Sequence, residues 1–315
     1  MGSLRVIRPG LHTTVQDTGR WGLQSQGVPV AGAMDLFAHR LANAMIGNEP
    51  SAATLEITLT GPELQFEDER TIAVAGGEFN LTIDGTPIGG DAPVVVPGGS
   101  VLRFGERRHG ARAYLAVGGG VDVPVVLGSR STHVPSRTGG LQGRALAAGD
   151  VVPLGWAGAP RAFRADRRGR VSLSVADRQK GRLRVLPGPQ LDRFADRALV
   201  ALQSAPYVVL QESNRMGFRL SGPSLELRST ADIISEAAPI GALQVPASRQ
   251  PILLMADRQT AGGYAKLATV ITADLGVAAQ LAPGDEIAFV VCTQAEALAA
   301  LIAQERAILA IEGQR

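Results

Sequence analysis

Cysteine and lysine are almost missing from this chain. The single cysteine, Cys292, excludes an intramolecular disulfide framework and any zinc site built on a cysteine cluster. Its setting, Phe289-Val290-Val291-Cys292, reads as a buried strand end carrying an inert thiol. Of the 31 basic residues only Lys180 and Lys266 are lysines, so chemistry that needs an ammonium group has two places to go. Aromatic residues make up 4%. The one basic concentration, Arg161, Arg164, Arg167, Arg168 and Arg170, has only Phe163 among it, so it reads as a solvated linker and no nucleic-acid partner is expected. The histidines, His12, His39, His109 and His133, never fall at a compact ligand spacing, and no metal site is expected. No window approaches ~18 uninterrupted apolar residues and the N-terminus lacks an apolar leader core, so no membrane partner is expected and the cytoplasm is the default location.

What is there is core-forming and rich in turns. Over 315 residues the chain is 45% hydrophobic and 19% charged, with net charge +2, 38 glycines and 19 prolines, a profile suited to many short strands. Strand patterns cover Thr54–Leu59, Phe79–Ile83 running into the hairpin pair Asp84-Gly85, Arg112–Val117, Leu183–Leu186, Tyr207–Leu210, Ile252–Met255 and Glu286–Val291. Helices are few. Met34–Ile46 sets Phe37, Leu41 and Met45 on one face and stops at Gly47, and Asp192–Leu202 is a weaker case. The C-terminal helix opens on the capping box Thr293-Gln294-Ala295-Glu296 and is expected to bury Leu298, Leu301, Ile302, Ile308 and Leu309.

An internal echo suggests duplication. Leu4-Arg5-Val6-Ile7 before Pro9-Gly10 answers Leu183-Arg184-Val185-Leu186 before Pro187-Gly188. Ile57-Thr58-Leu59-Thr60-Gly61-Pro62 answers Phe218-Arg219-Leu220-Ser221-Gly222-Pro223, and Ala148-Gly149-Asp150 answers Pro283-Gly284-Asp285. Three marks in one order imply two related β-rich units, expected as closed barrels because closure removes strand edges. The expected organisation is a first unit over 1–160, an Arg-rich linker over 161–182, a second unit over 183–292 and a C-terminal helix over 293–315.

Two polar, glycine-flanked stretches stand out as candidate sites. The first, Thr13 to Arg20 continuing to Asp35, contains Gln16, Asp17, Arg20 and Asp35 and a long loop that is either a binding loop or merely floppy. Asp17 and Arg20 either pair with each other or form an anion site, and Asp35 either caps the helix it precedes or contributes to that site. The second joins Glu212 to Gly217 with Asn214 and Arg215, Gly241 to Pro246 with Gln244, and Ala256 to Tyr264. Here a buried strand delivers Asp257, Gln259 and Thr260 to its end, and Gly262-Gly263 before Tyr264 lets backbone approach a ligand closely. Amide, hydroxyl and N–H groups in that setting suit an amide, urea or lactam, or else make a self-satisfied polar turn. Asp257 and Glu236 are the general-base candidates by type. The chain has no G-x-x-x-x-G-K-[ST] and no G-x-S-x-G, and Gly118-Gly119-Gly120 leads into Val121-Asp122-Val123-Pro124 and not a helix, so no nucleotide site of its own is expected.

The ordered blocks Pro9-Gly10-Leu11, Thr13 to Asp17, Gly19-Arg20, Gly27-Val28-Pro29, Gly32 to Asp35, Leu127 to Thr132, Asn214 to Gly217, Gln244-Val245-Pro246, Asp257 to Thr260, Gly262-Gly263-Tyr264 and Pro283-Gly284-Asp285 cover nearly the whole chain. They resemble the KipA family, also called allophanate hydrolase subunit 2, the 5-oxoprolinase C subunit or the biotin-dependent carboxyltransferase family, related to the carboxyltransferase domain of urea carboxylase. The resemblance implies a mainly β fold of two tandem cyclophilin-like β-barrel units. It implies a shorter partner of the KipI type (allophanate hydrolase subunit 1, or the 5-oxoprolinase B subunit) and a third subunit, which together open 5-oxoproline with ATP used by the complex. Alternatives within the resemblance are a regulatory antagonist of a kinase inhibitor and carboxyl transfer from carboxybiotin to a urea-like substrate. Neither lysine lies between methionines as a biotinyl lysine would, so biotin is expected only from a separate carrier, and no cofactor is expected on this chain. In the 5-oxoprolinase reading Arg20 or Arg215 holds the substrate carboxylate, while Gln259, Thr260 and the Gly262-Gly263 amides face the reacting group. The chain departs from the usual pattern at Ala237, where glycine is common, at Ala261 and Ala265, where threonine and proline are usual, and at Leu141, where an aromatic is common.

Overall fold

The computed structural model describes residues 2–90, 92–156 and 181–312, so the Arg-rich run lies outside the described residues. The chain forms two compact units, one from Met1–Arg20, Ala31–Asp177 and Arg306–Arg315, the other from Trp21–Val30 and Arg178–Glu305.

The first unit contains β1 (Ser3–Arg8), β2 (His12–Gln16), α1 (Leu36–Ile46), β3 (Thr54–Thr58), β4 (Glu63–Phe66), β5 (Arg70–Ile83), β6 (Thr86–Ile88), β7 (Val94–Val96), β8 (Val101–Val117) and β9 (Val151–Pro153). They form one curled, nine-stranded sheet in the order β2-β3-β8-β4-β1-β9, with β5 pairing β8, β6 and β7. The hairpin pair is as expected: Ile83 faces Thr86 across Asp84 and Gly85, both at positive φ, the geometry that matches strand twist. Strand β3 shows why alternation here does not mean one wet face. Leu55 and Ile57 enter the aliphatic core with Leu4, Val6, Val15, Leu64 and Phe66, while Thr54 and Glu56 on the other face are also buried. Helix α1 begins at Asp35, whose carboxylate accepts the Ala38 amide at 2.9 Å, and ends at Gly47 in the left-handed region.

The second unit contains β10 (Arg182–Pro187), α2 (Ala198–Leu202), β11 (Tyr207–Val209), β12 (Gly217–Ser221), β13 (Asp232–Ala237), β14 (Ala242–Gln244), β15 (Ile252–Leu254), β16 (Ala261–Tyr264), β17 (Lys266–Val270), α3 (Leu275–Ala279), β18 (Glu286–Val291) and the start of α4 (Gln294–Glu312). Seven strands close a barrel, β10-β17-β14-β15-β12-β11-β18, while β13 and β16 form a separate two-stranded sheet. The fold is therefore mainly β, with tandem barrel-type units and a C-terminal helix; one barrel is closed and the other is a half-barrel.

Two helices differ from expectation. The segment Asp192–Leu202 is split, because Phe194 is extended and buried in a bridge to Leu227 while the Ala195 amide bonds Glu226. In α4 the capping box forms, with Glu296 accepting the Thr293 amide at 2.7 Å and Thr293 Oγ1 accepting the Glu296 amide at 3.2 Å. Its apolar positions do not all sink: Ile308 and Ile311 pack with Phe37, Leu41 and Met45, whereas Leu298, Ile302 and Leu309 are exposed. Cys292, just past β18, is half-buried, and burial raises its thiol.

The duplicated marks occupy equivalent turns. In Ala147-Ala148-Gly149-Asp150 the aspartate accepts the Ala147 amide at 2.7 Å, and in Ala282-Pro283-Gly284-Asp285 the aspartate accepts the Ala282 amide at 2.7 Å. Each turn needs a left-handed residue, Gly149 at φ +88 and Gly284 at φ +91. The strands that follow have diverged: β9 runs antiparallel to β1, but β18 runs parallel to β10 and antiparallel to β11.

Candidate functional site

The candidate residues fall into two groups, one in each unit. Gln16, Asp17, Arg20 and Asp35 belong to a sealed polar network in the first unit. Asp17 is a four-fold acceptor, taking the Ser129 hydroxyl at 2.6 Å, the Ser131 hydroxyl at 2.5 Å, the Arg130 amide at 2.6 Å and the Gly19 amide at 2.8 Å. Burial alone would raise its carboxyl; the two hydroxyls and two amides outweigh that and hold it below the ordinary value. Arg20 is 1% exposed and donates through Nη2 to the Ser131 carbonyl at 2.5 Å and through Nε to the Val126 carbonyl at 3.3 Å. Gln16 donates to Thr14 and to the Thr132 carbonyl, and Asp35 caps α1. Beside them Tyr114 donates to Glu56 at 2.8 Å and accepts the Asp35 amide, and His39 Nδ1 sits 2.9 Å from Thr54 Oγ1. Burial drops the His39 imidazole to about 4. Most of these groups address one another and the backbone, which braces the loop 129–132, while the buried Gln16 Oε1 has no hydrogen-bond partner among the described residues.

The second unit holds a cleft of about 560 Å³, a volume suited to a small molecule. It is lined by Glu236, Ala237, Ala238, Arg258, Gln259, Thr260 and Lys266, with Trp21, Gln24 and Val30 from the segment Trp21–Val30. Three sequence candidates, Glu236, Gln259 and Thr260, thus line this cleft. Two of them follow from Asp257-Arg258-Gln259-Thr260, the turn after β15. Asp257 anchors that turn, accepting Arg215 Nε and Nη2 at 2.9 Å each in a buried bidentate pair, while its amide bonds the Arg215 carbonyl. Asn214 is exposed and its side chain accepts the Met216 amide, closing the loop that presents Arg215. Asp257 and Arg215 are thereby joined to each other, and the residues beyond them reach the cleft.

The small sheet β13–β16 forms another part of the wall. Glu236 faces Gly262 and Ala237 faces Ala261. A Cβ on Gly262 would lie 2.6 Å from Gln244 Nε2 and 2.7 Å from Gln259 Nε2, so the absent side chain lets both amides converge there. Gln244 is buried, and among the described residues its Nε2 has no hydrogen-bond partner. Gly263 lies against β13, and Tyr264 is partly exposed opposite Asp232. The Ala265 amide donates to the Ala231 carbonyl, a bond that proline could not make.

Sequence reasoning missed Lys266, Arg258 and Trp21. Lys266, at the start of β17, is 2% exposed, and its Nζ lies 2.6 Å from Glu236 Oε1. Gln190 ties the pair together, donating to Glu236 at 2.5 Å and accepting the Lys266 amide at 3.1 Å. The bond from Lys266, followed by that from Gln190, keeps Glu236 below the usual carboxylate range, so it stays ionised near neutrality. The signal for Lys266 was its rarity: in a chain that otherwise uses arginine, one lysine two residues past Gly263-Tyr264 is a marked choice. Among the described residues no group of three or more His, Cys, Asp or Glu could hold a metal, and no helix is long and apolar enough to cross a membrane.

The fold is that of a carboxyltransferase domain. The family model described as carboxyltransferase domain, subdomain A and B, matches residues 26–291, and the chain belongs to that family. It is 38% identical over 304 residues to the C subunit of 5-oxoprolinase from Escherichia coli (strain K12), covering 96% of each chain. It is 35% identical over 279 residues to the C subunit of 5-oxoprolinase from Haemophilus influenzae, covering 88% of this chain and 87% of that one. The solved structure of Kluyveromyces lactis urea carboxylase superposes with a TM-score of 0.90 at 34% identity, covering 99% of this chain but only 29% of that larger one.

Proposed function

We propose that the chain is the larger subunit of a multisubunit ATP-dependent lactam hydrolase of the 5-oxoprolinase type, acting with a shorter KipI-type subunit and a third subunit. The observation that carries this reading is the cleft in which Gln259, Thr260 and the Lys266–Glu236 pair meet beside Trp21. End-to-end likeness to two proteins named as C subunits of 5-oxoprolinase supports it. The indole of Trp21 offers a flat apolar face, while the Gln259 amide and the Thr260 hydroxyl offer a donor and an acceptor each to a ring amide. Lys266, held by Glu236, places positive charge where the lactam oxygen gains electron density. ATP, contributed by another subunit, would transfer its terminal phosphoryl group to that oxygen, leaving ADP and abolishing amide resonance. Water then adds to the carbon, the C–N bond breaks as the ring nitrogen takes a proton, and a second water hydrolyses the resulting acyl phosphate to carboxylate and inorganic phosphate. Glu236 accepts hydrogen bonds and orients; its lowered carboxyl makes it a weak base.

Carboxyl transfer from carboxybiotin is the second reading, favoured by the likeness to urea carboxylase. Lys266 fits no biotin attachment, being 2% exposed and flanked by Ala265 and Leu267, so a separate carrier would have to bring the group. The test is co-purification with both partner subunits followed by phosphate-release assays. Release dependent on 5-oxoproline supports the hydrolase; turnover dependent on a biotin carrier and urea replaces it with the second reading. A tight complex inert in both assays would instead favour a regulatory protein.

A further inference from the structure

The cleft-lining residues are unbalanced in charge. Lys266 has its counter-ion in Glu236, but Arg258 has none among the described residues. Arg258 is 8% exposed, donates from Nε to the Ala238 carbonyl at 2.7 Å, and makes only a 3.4 Å contact from Nη1 to the Met255 carbonyl. Desolvation lowers its guanidinium, with no carboxylate offsetting the loss. A buried cation is normally paired, and one left without an acid on the wall of a ligand-sized cleft is matched to an anion that arrives from outside. The two arginines that the sequence offered for this task are otherwise engaged: Arg215 grips Asp257 bidentately, and Arg20 lies in the other unit's sealed network.

We infer that Arg258 holds the carboxylate of the ligand and makes this cleft select a carboxylate-bearing lactam over a neutral amide of the same shape. The inference rests on the lactam-binding reading above and assigns the substrate's charged end. Nη2 makes no hydrogen bond within the described residues and supplies the charge-assisted donor, while the neutral ring amide lies toward Gln259 and Thr260.

The test is isothermal titration calorimetry on the full-length chain with 5-oxoproline and with 2-pyrrolidinone, the same ring lacking the carboxylate. The wild-type chain is expected to bind the acid at least ~10-fold more tightly, with an advantage that shrinks as salt rises. Arg258→Gln should erase the preference while leaving 2-pyrrolidinone within about two-fold of wild type, and Arg258→Lys should keep part of it, as a charge without the planar fork. Equal wild-type affinity for both lactams, or a preference that survives in both variants, overturns the inference and leaves the lactam reading standing. Binding of neither lactam to the wild-type chain overturns that reading and the inference with it. The wild-type comparison needs no variant to fold.

Discussion

Arg215 and Asp257 pair with each other and are absent from the residues lining the cleft, yet they hold the turn that reaches it. Each is buried, each satisfies the other bidentately, and the pair fixes the turn from which Arg258, Gln259 and Thr260 reach the cleft. Removing one partner strands a buried charge, so Arg215→Met is expected to cost about 3–5 kcal/mol in urea unfolding. Asp257→Asn in the same chain should recover part of that loss, and strict additivity of the two changes would contradict the pairing. His39 makes a different demand. An unfolded chain protonates this imidazole below about pH 6.5 and the folded chain only near 4, so the folded state is progressively disfavoured as pH falls through that window. The loss totals on the order of 3 kcal/mol. His39→Gln should flatten stability against pH between 6.5 and 4, measured by urea midpoints; an unchanged slope would exclude His39 as the source.

At the scale of elements, β13 and β16 carry the properties that matter for the cleft. They stand apart from the barrel as a two-stranded sheet, and their facing positions hold Glu236, Gly262 and the alanines at 237 and 261. Gly262→Ala places a methyl against the ends of two flexible amides, so Gln244 and Gln259 can give way and stability should fall by less than about 1 kcal/mol. Ligand affinity should fall several-fold, because the displaced Gln259 amide is a cleft wall; an unchanged affinity in calorimetry would remove that amide from the site. Much of this level was legible beforehand. The hairpin at Asp84-Gly85, the stop at Gly47 and the capping box at Thr293 each depend on contacts within a few residues, and each formed as read. The broken segment around Phe194 and the exposed Leu298, Ile302 and Leu309 were not legible, since their fate depends on what lies across from them.

For the whole molecule, the echo between the halves and the motif blocks were sufficient for fold and family. The turns at Asp150 and Asp285 make the same side-chain bond, so this one repeated mark has a matching local geometry in both halves. The division of labour was harder to see. Gln16, Asp17, Arg20 and Gln259, Thr260 look alike as polar runs beside glycines, yet the first group bonds inward while the second lines a cleft. Burial decides between them, and burial of polar groups is not written in local composition. Trp21 was hidden for a related reason: its segment is counted with the second unit although both flanking segments belong to the first.

The most direct measurement is phosphate release by the chain assembled with its partner subunits, with and without 5-oxoproline, comparing wild type with a Gln259→Leu, Thr260→Val double variant of matched melting temperature. The account predicts release that depends on 5-oxoproline and falls at least ~100-fold in the variant. Release at the wild-type rate from the variant, or none from the wild-type assembly, would contradict it.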